Sequence, residues 1–404
     1  MTTKRCIVIV LVSFGVGAMA DDKKVRPQDV QACTCGHILE KLHVRLPNLE
    51  ALGLMNALGH ATPEMQLNPK AVFGRAALAH DGADTFMGHQ EIMGTKPNRP
   101  VYAPFAKYLE KCRQALLKAG YTVEVKGEKA HYLFVNGAVT VADNIEADYG
   151  QIYNVSGALD KISFAQVLAI GKIIRAQVDV SRVIALGGAV ITPQDLLDAV
   201  EVREQKYIGV NCGRSGVYNQ GYQVVHLGYG VDPSVQLPTI LGERGIPCTL
   251  LGKVADIVAN AKGTSIGCVD TAQVLALTLQ AMHTQTGGFI ATNVQETDLA
   301  GHAEDTKRYG EVLQIADAWL GKIRAALQPG DILVVMADHG NDPTSGSSHH
   351  TREYVPLLLA SPGLQPAALG LRRTMSDVGA TAADYLGVPA PQAGTSFLSL
   401  LKWQ

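Results

Sequence analysis

The sequence has almost no net charge and, beyond its first residues, no long apolar run. Its 404 residues carry 35 Lys and Arg against 37 Asp and Glu, a formal net charge of -2. This balance excludes the basic surface typical of proteins that bind nucleic acids or membrane surfaces. No later apolar stretch reaches the ~18 residues that a membrane span requires. We therefore expect neither nucleic acid nor a membrane as a partner.

Cysteine is sparse and shows no pairing pattern. The seven cysteines are an odd number, and no two CxxC units are present that could form a zinc site. Cys33 and Cys35 are separated by one residue, a spacing that rarely suits a disulfide within one chain. A reduced compartment is the simpler interpretation, and we predict a cytoplasmic protein.

The first twenty residues allow two interpretations. Two basic residues precede an apolar run over 6–16, and the segment 18–20 resembles a signal-peptidase site, which together form a secretory pattern. The same run is also typical of a buried strand, Cys6 to Val12, that ends in a glycine-bearing loop. We predict the strand, because cleavage would delete an element that the rest of the chain needs.

Short apolar runs bounded by turn residues alternate with amphipathic segments along both ends of the chain. This pattern is typical of βα units around a largely parallel sheet. Residues 308–327 carry apolar side chains at helical period, Pro329-Gly330 ends that helix, and Asp331–Met336 follows as a buried strand. We predict an α/β fold with a central, mostly parallel sheet flanked by helices.

The middle of the chain differs from its two ends. A chain of this length exceeds what one hydrophobic core usually organises, and the segments rich in His and Asp all lie outside the middle. We predict a discontinuous core, residues 1–96 and 232–404, interrupted by an inserted α/β cap domain, residues 97–231.

The pair Asp338-His339 directly follows the predicted strand 331–336. In an open α/β sheet, ligands bind beyond the carboxyl ends of the strands, and Gly340 relaxes the backbone at this point. The pair therefore suits a divalent cation. Considered alone, it is equally well explained by a helix cap and a surface histidine.

Two further loops contain the same residue types. Asp298 and His302 lie four residues apart after a strand-like segment, and His350 lies in the polar loop 349–353. Carboxylate with imidazole suits manganese, zinc or iron better than calcium. Three such loops in one half of a chain are difficult to attribute to chance, so we predict a metal site.

A hydroxyl group stands in a fourth polar segment, residues 82–94. Thr85 is flanked by an aspartate, glycines and a histidine, and a hydroxyl in such a setting can be a nucleophile that a metal activates. An Asp/Thr helix cap is the common alternative. The nearby His89 could be structural or a proton carrier, and we expect the structural role.

Taken in order, these segments resemble the phosphopentomutase family of the alkaline phosphatase superfamily over nearly the whole chain. The most specific match is Ala337–Thr344 followed by His350–Pro356. The other matching segments are Ile9–Gly17, Thr34–Ile38, Leu46–Leu49, Asp84–Gly94 and Gly252–Ile257.

The resemblance implies an alkaline-phosphatase-like core that binds two divalent metals. Thr85 would be the nucleophile that carries a phosphoryl group. One metal, normally manganese, would be bound by Asp298, His302 and His350. The second would be bound by Asp338 and His339, together with Thr85 and an aspartate at the end of the first strand.

The same resemblance implies a substrate and an activity. The substrate would be a small phosphorylated metabolite of the ribose 1-phosphate or ribose 5-phosphate type, and the enzyme would be a phosphomutase of the isomerase class. The cap domain would hold the rest of the sugar phosphate. The substrate-binding positions in the cap correspond to Glu146 and Asp148.

Several positions depart from the family pattern. Val12 stands where the family has the strand-end aspartate, and valine cannot bind a metal, so we predict a weakened second site. Glu146 replaces a serine and Leu186 an arginine, and both changes disfavour a phosphate group at that place. Ala83 replaces a lysine. The interval from Asp298 to His302 is one residue shorter than in the family, as in cofactor-independent phosphoglycerate mutase.

These departures leave two alternatives to an active phosphomutase. One is a metal-dependent phosphohydrolase that acts on another substrate. The other is a catalytically impaired paralogue that binds a metabolite, because Val12 would remove one metal ligand.

Overall fold

The computed structural model describes residues 4–146 and 149–404. They form two compact units. The core unit consists of the two ends of the chain, up to Pro97 and from Asp232 onward, and the inserted unit is Asn98–Val231.

The elements follow in chain order. The first part of the core unit contains β1 (Arg5–Leu11), α1 (Asp22–Val25), α2 (Thr34–Leu42), α3 (Pro47–Leu52), α4 (Leu54–Leu58), β2 (Val72–Ala76) and α5 (Thr85–Ile92). The inserted unit contains α6 (Leu109–Lys118), β3 (Val123–Lys126), β4 (Tyr132–Val135), β5 (Val139–Asp143), β6 (Ile152–Ala158), α7 (Phe164–Arg175), β7 (Arg182–Gly188), α8 (Pro193–Asp198), β8 (Val200–Arg203), β9 (Tyr207–Val210), α9 (Cys212–Ser215) and β10 (Gln223–Gly228). The second part of the core unit contains α10 (Leu237–Glu243), β11 (Cys248–Leu251), α11 (Val254–Ile257), β12 (Thr264–Ile266), α12 (Thr271–Thr284), β13 (Gly288–Val294), α13 (Glu296–His302), α14 (Thr306–Ala325), β14 (Asp331–Met336), β15 (Val355–Ala360), β16 (Ala367–Arg372) and α15 (Ser376–Leu386).

The core unit is built on an eight-stranded sheet with the order β12-β11-β13-β1-β14-β15-β2-β16. Only β15 among these strands runs antiparallel to its neighbours. Strands β1, β13 and β14 are buried along their whole length, as expected for parallel strands covered on both faces. Helix α12 packs on β13 and helix α15 on β1. The predicted mostly parallel sheet flanked by helices is confirmed.

The first strand lies at the centre of this sheet. β1 pairs with β13 on one side and with β14 on the other, both in parallel. The predicted strand is therefore confirmed, although it ends at Leu11 and leaves Val12 just beyond it. Because the three strands are parallel and adjacent, the residues that follow them meet at one edge of the sheet.

Local sequence signals fix the helices near this edge. Helix α14 covers most of the predicted segment 308–327, and β14 has the predicted bounds. Helix α15 ends at Gly387, which has the left-handed φ of 74° that favours glycine.

The inserted unit has its own sheet and its own apolar core. Six strands have the order β10-β7-β6-β5-β4-β3, with β6 and β7 parallel and the other pairs antiparallel, and β8 and β9 form a separate hairpin pair. Its buried apolar side chains include Val155 and Ile170. Across the described part of the chain, no helix has the length and apolar character that crossing a membrane requires.

Candidate metal centre

Polar side chains gather where β13, β1 and β14 end. Asp298 lies in α13, directly after β13, and Asp338 and His339 follow β14. Thr85 is the first residue of α5, and His350 comes from the loop before β15. The structure thus brings together residues that are more than 200 positions apart in the sequence.

Asp298 is the buried carboxylate of the first group. It is 4% exposed, and His350 Nε2 lies 3.2 Å from its Oδ1 atom while His302 Nε2 lies 3.5 Å from Oδ2. The two histidine Nε2 atoms are 3.0 Å apart. At that distance a hydrogen can lie on at most one of the two nitrogens. At least one Nε2 atom therefore has a lone pair that is free to bind a metal.

Backbone carbonyls orient the histidine rings. The Nδ1 atom of His302 lies 2.7 Å from the carbonyl oxygen of Ser348, and Nδ1 of His350 lies 3.1 Å from that of Ala83. Nδ1 of His339 lies 2.8 Å from the carbonyl oxygen of Gly340. Since a carbonyl can only accept, each Nδ1 carries the hydrogen and each Nε2 is left as a potential ligand atom.

Asp338 and His339 form the second group, next to the Thr85 hydroxyl. Both residues are fully buried. Asp338 Oδ1 accepts a hydrogen bond from the Ser13 amide at 3.0 Å, and His339 Nε2 lies 2.7 Å from Thr85 Oγ1. Because Nδ1 of His339 carries the hydrogen, the threonine hydroxyl donates to Nε2.

One subset of these side chains has the spacing of a metal site. Ligand atoms of Asp298, His339 and His350 all lie within 4.8 Å of one another. This triad takes members from both of the predicted ligand sets. Asp298 Oδ1 and Asp338 Oδ2 have no hydrogen-bond partner among the described residues. Buried carboxylate oxygens and imidazole nitrogens without partners fit a divalent cation.

The charges of the group depend on one another. Burial raises the pKa of Asp298, but the contacts with His302 and His350 outweigh this effect and hold it well below its usual range. The contact with Asp298 raises the pKa of His302. Burial lowers the pKa of His339 to about 4, so this imidazole is neutral at pH 7 and can accept the threonine hydrogen bond.

Arg352 links two loops of the site. Its guanidinium donates to the backbone carbonyls of Leu78, His80 and Gly82, in the segment that leads to Thr85. It also forms a two-pronged pair with Asp21, with both N–O distances at 3.0 Å. Sequence reasoning placed Arg352 only within a family motif, and nothing in the local pattern signalled this role.

Glu353 is a second buried support. The residue is fully buried, and its carboxylate accepts hydrogen bonds from the Thr34 hydroxyl at 2.6 Å, the Thr351 hydroxyl at 2.7 Å and the Gly17 amide at 3.1 Å. The Glu353 carboxylate therefore joins the loops around the site to one another. A β-carbon at Gly15 would lie 2.5 Å from this side chain, which explains why glycine is needed there.

Val12 lies at this edge of the sheet, where its backbone forms hydrogen bonds and its side chain offers no polar atom. It is fully buried, its amide donates to the Val294 carbonyl, and its carbonyl accepts from Thr297 Oγ1 at 2.7 Å. Of the two nearby acidic residues, Asp21 is paired with Arg352. Within the described ranges, Asp22 does not join the candidate metal-binding triad.

The predicted substrate positions of the inserted unit have other partners. The exposed Glu146 accepts hydrogen bonds from the Cys212 amide at 2.9 Å and from the Tyr218 hydroxyl at 3.0 Å. Leu186 is buried in an apolar cluster with Cys212 and Val217. Asp148 lies outside the described residues.

Comparison with known proteins identifies the family. A family model described as the metalloenzyme superfamily matches residues 4–390. Phosphopentomutases of Caldanaerobacter subterraneus subsp. tengcongensis and Symbiobacterium thermophilum are each 30% identical, covering 98% and 99% of this chain and 97% and 99% of theirs.

Among solved structures, a phosphoglycerate mutase of Leishmania mexicana is 13% identical with a TM-score of 0.46, covering 100% of this chain and 98% of that one. The sequence relatives confirm the predicted family, and with the sheet described above the predicted fold class is confirmed as well. The chain belongs to the phosphopentomutase family within the metalloenzyme superfamily, and it is a metal-dependent phosphomutase of the isomerase class.

Proposed function

We propose that the protein moves a phosphoryl group within a pentose phosphate, between ribose 1-phosphate and ribose 5-phosphate, by way of Thr85. The observation that carries this proposal is the Thr85 hydroxyl, which hydrogen-bonds to His339 at 2.7 Å beside the candidate metal centre. The name phosphopentomutase, borne by the sequence relatives, supports the choice of substrate.

The position of Thr85 on its helix suits a residue that carries a phosphoryl group. Asp84 caps α5 by accepting a hydrogen bond from the Met87 amide at 2.8 Å, which makes Thr85 the first helical residue. The amino end of a helix favours negative charge through its free N–H groups and its dipole. A phosphoryl group on Thr85 Oγ1 would lie at this end.

The residues of the site would hold a divalent cation, and we propose manganese. Asp298, His302 and His350 would be ligands of one ion, and His339 and Asp338 would serve a second near Thr85. Such a cation supplies positive charge that offsets the charge of the transferring phosphoryl group. Because Val12 offers no ligand atom, we propose that the second ion binds weakly.

The reaction consists of two phosphoryl transfers, and each breaks one bond to phosphorus and forms another. Thr85 Oγ1, carrying a phosphoryl group, gives it to the free hydroxyl of the sugar phosphate, so the bond from phosphorus to Oγ1 breaks as one to the sugar oxygen forms. The phosphoryl group already on the sugar then passes to Oγ1. The sugar leaves as its isomer, and Thr85 is phosphorylated again.

Two further predictions accompany the proposal. Glu146 and Asp148 remain predicted contacts of the substrate, a small phosphorylated metabolite. The location remains a prediction as well: we propose the cytoplasm, in keeping with seven cysteines that are all free thiols.

The test is a phosphorus NMR assay. The protein is incubated with Mn²⁺, a sugar bisphosphate activator and ribose 1-phosphate, and the signal of ribose 5-phosphate is followed. We expect conversion by the native protein, none by Thr85→Ala, and slow conversion by Thr85→Ser, which keeps a hydroxyl.

The other outcomes separate the alternatives. Release of free phosphate in place of isomerisation would identify a phosphohydrolase. No reaction by the native protein, followed by turnover in Val12→Asp, would indicate an enzyme impaired at its second metal. Conversion that survives in Thr85→Ala would refute the role of Thr85.

A further inference from the structure

His89 is a buried histidine one helical turn after Thr85 in α5. It is fully buried, and its Nδ1 atom lies 2.8 Å from the Thr85 carbonyl oxygen and 3.3 Å from Asp338 Oδ2. Since the carbonyl can only accept, Nδ1 carries a hydrogen. One N–H group therefore faces both the backbone of the nucleophile and the carboxylate of a metal-ligand candidate.

The helix that carries His89 is packed directly on the Asp338 loop. A β-carbon at Gly88 would lie 2.9 Å from Asp338 Cβ and 3.0 Å from its carbonyl oxygen. Only glycine permits this approach, which brings the neighbouring His89 ring to the Asp338 carboxylate.

The contact is not explained by packing alone. His89 Nε2 is buried and has no hydrogen-bond partner among the described residues. A buried polar atom without a partner is unfavourable, and an apolar side chain of similar volume would avoid that cost. The Nδ1 contacts are the feature of the imidazole that an apolar side chain could not supply.

We propose that His89 is a positioning residue that holds the Thr85 backbone and the Asp338 carboxylate in a fixed relation. The proposal rests on the role proposed above for Thr85 and for the metal centre. Asp338 Oδ1 is held by the Ser13 amide, whereas Oδ2 has no hydrogen-bond partner among the described residues and lies 3.3 Å from Nδ1 of His89. Val12 has no polar side-chain atom that could hydrogen-bond to Asp338. The orientation of the Asp338 carboxylate therefore depends more on His89.

Three variants separate positioning from mere packing. In His89→Asn the side-chain amide can occupy the position of Nδ1. In His89→Gln the amide reaches instead toward the position of Nε2. His89→Leu removes both ring nitrogens. Mn²⁺ affinity is measured without substrate, from the paramagnetic resonance signal of the free ion. The values of kcat and KM come from the NMR assay.

We expect His89→Leu to weaken Mn²⁺ binding by about 10-fold or more, the usual effect of losing a residue that orients a metal ligand. We also expect it to lower kcat with KM little changed, and His89→Asn to restore most of both. Equal values for His89→Leu and the native protein would overturn the proposal. If His89→Leu does not fold, His89→Asn must exceed His89→Gln in Mn²⁺ affinity, and equality of these two would overturn it.

The measurement of Mn²⁺ affinity tests the role of His89 independently of the proposed substrate. If the native protein fails to convert ribose phosphates while His89→Leu still loses Mn²⁺ affinity, the proposed substrate is wrong and the role of His89 stands. If conversion occurs and all the His89 variants bind and convert as the native protein does, the substrate stands and the role of His89 is refuted.

Discussion

At the residue scale, we expect the end of β1 to determine how many cations the candidate site can hold. Val12 presents a hydrocarbon side chain at the edge where Asp338 and His339 lie. The second group of ligands therefore has one carboxylate, from Asp338, with the imidazole of His339. Fewer anionic ligands mean weaker binding of a divalent ion, because the protein compensates less of its charge.

A carboxylate at position 12 should strengthen the binding of the second cation. We expect Val12→Asp to raise bound manganese from about one to about two ions per chain, since an aspartate adds the missing oxygen ligand. Bound metal is counted by mass spectrometry of the element after gel filtration. Without metal the same variant should melt at a lower temperature, because it buries a second carboxylate near Asp338.

The control is Val12→Asn, which has nearly the same shape without the charge. It should bind no additional manganese. If Val12→Asp and Val12→Asn bind equal amounts of metal, Val12 is not at the metal site.

Asp22 makes stability depend on pH. It is 1% exposed and neither carboxylate oxygen has a hydrogen-bond partner among the described residues. Burial, with the charges of Asp29 and Asp21, raises the pKa of Asp22 to about 7. In the unfolded chain its pKa is about 3.9. The folded state therefore holds the proton more tightly, and stability falls as pH rises from about 4 to about 7.

Replacing Asp22 by asparagine should remove this loss of stability at high pH. We expect Asp22→Asn to gain stability over the native protein at pH 8 and to gain much less at pH 5, in urea unfolding with EDTA present. The exposed Asp160→Asn serves as control and should show the same small difference at both values. A gain for Asp22→Asn that does not change with pH would contradict the prediction.

At the element scale, helix α5 sets the distance between Thr85, the proposed nucleophile, and the candidate metal ligands. Its first residue is Thr85, its second turn brings His89 to Asp338, and Gly88 lets it approach the Asp338 loop. The helix is short and its first turn is held by the Asp84 cap. A small shift of this one element would change the distance from Thr85 to His339.

A single methyl group should be enough to shift it. We expect Gly88→Ala to lower Mn²⁺ affinity and kcat, because the new β-carbon would meet Asp338 at 2.9 Å and neither backbone can yield without moving the loop. The overpacking should cost about 1–3 kcal/mol, more than the helix propensity that alanine adds. Metal titration and urea unfolding measure the two effects.

Gly213 in α9 provides a matched control. A β-carbon there would meet only Asn211 Oδ1, at 3.6 Å, so Gly213→Ala should be neutral or slightly stabilising. Equal effects of the two substitutions would show that the contact between α5 and Asp338 is not tight.

At the scale of the whole molecule, the inserted unit is one continuous segment. Asn98–Val231 contains a complete sheet with helices α6 and α7 packed on it and a buried core that includes Phe105, Tyr153 and Val167. The core unit, by contrast, depends on both ends of the chain, because β1 lies between β13 and β14.

The segment 98–231 should fold when produced alone. We expect a cooperative thermal transition and a dispersed proton NMR spectrum, since its strands pair with one another and its core is its own. The segment 232–404 is the control: without β1 its sheet lacks the central strand, and it should not melt cooperatively. A molten 98–231 fragment would show that the insertion depends on the core unit.

The sequence by itself determined the elements and the chemical character of the site. Apolar periodicity predicted β1 and β14, Pro329-Gly330 marked the end of α14, and the polar residues after strands predicted a metal site. These features are local, because each depends on side chains within a few residues of one another. The family resemblance added Thr85 and the two ligand sets.

Only the tertiary structure decided which of these residues meet. The candidate metal-binding triad joins Asp298, His339 and His350 across both predicted sets, and Thr85 hydrogen-bonds to His339 over a separation of 254 residues. The contact of His89 with Asp338 and the role of Arg352 have no local signal, since they arise from the order of strands in the sheet. Periodicity specifies which face of an element is buried, but distances between side chains from different elements depend on how those elements pack.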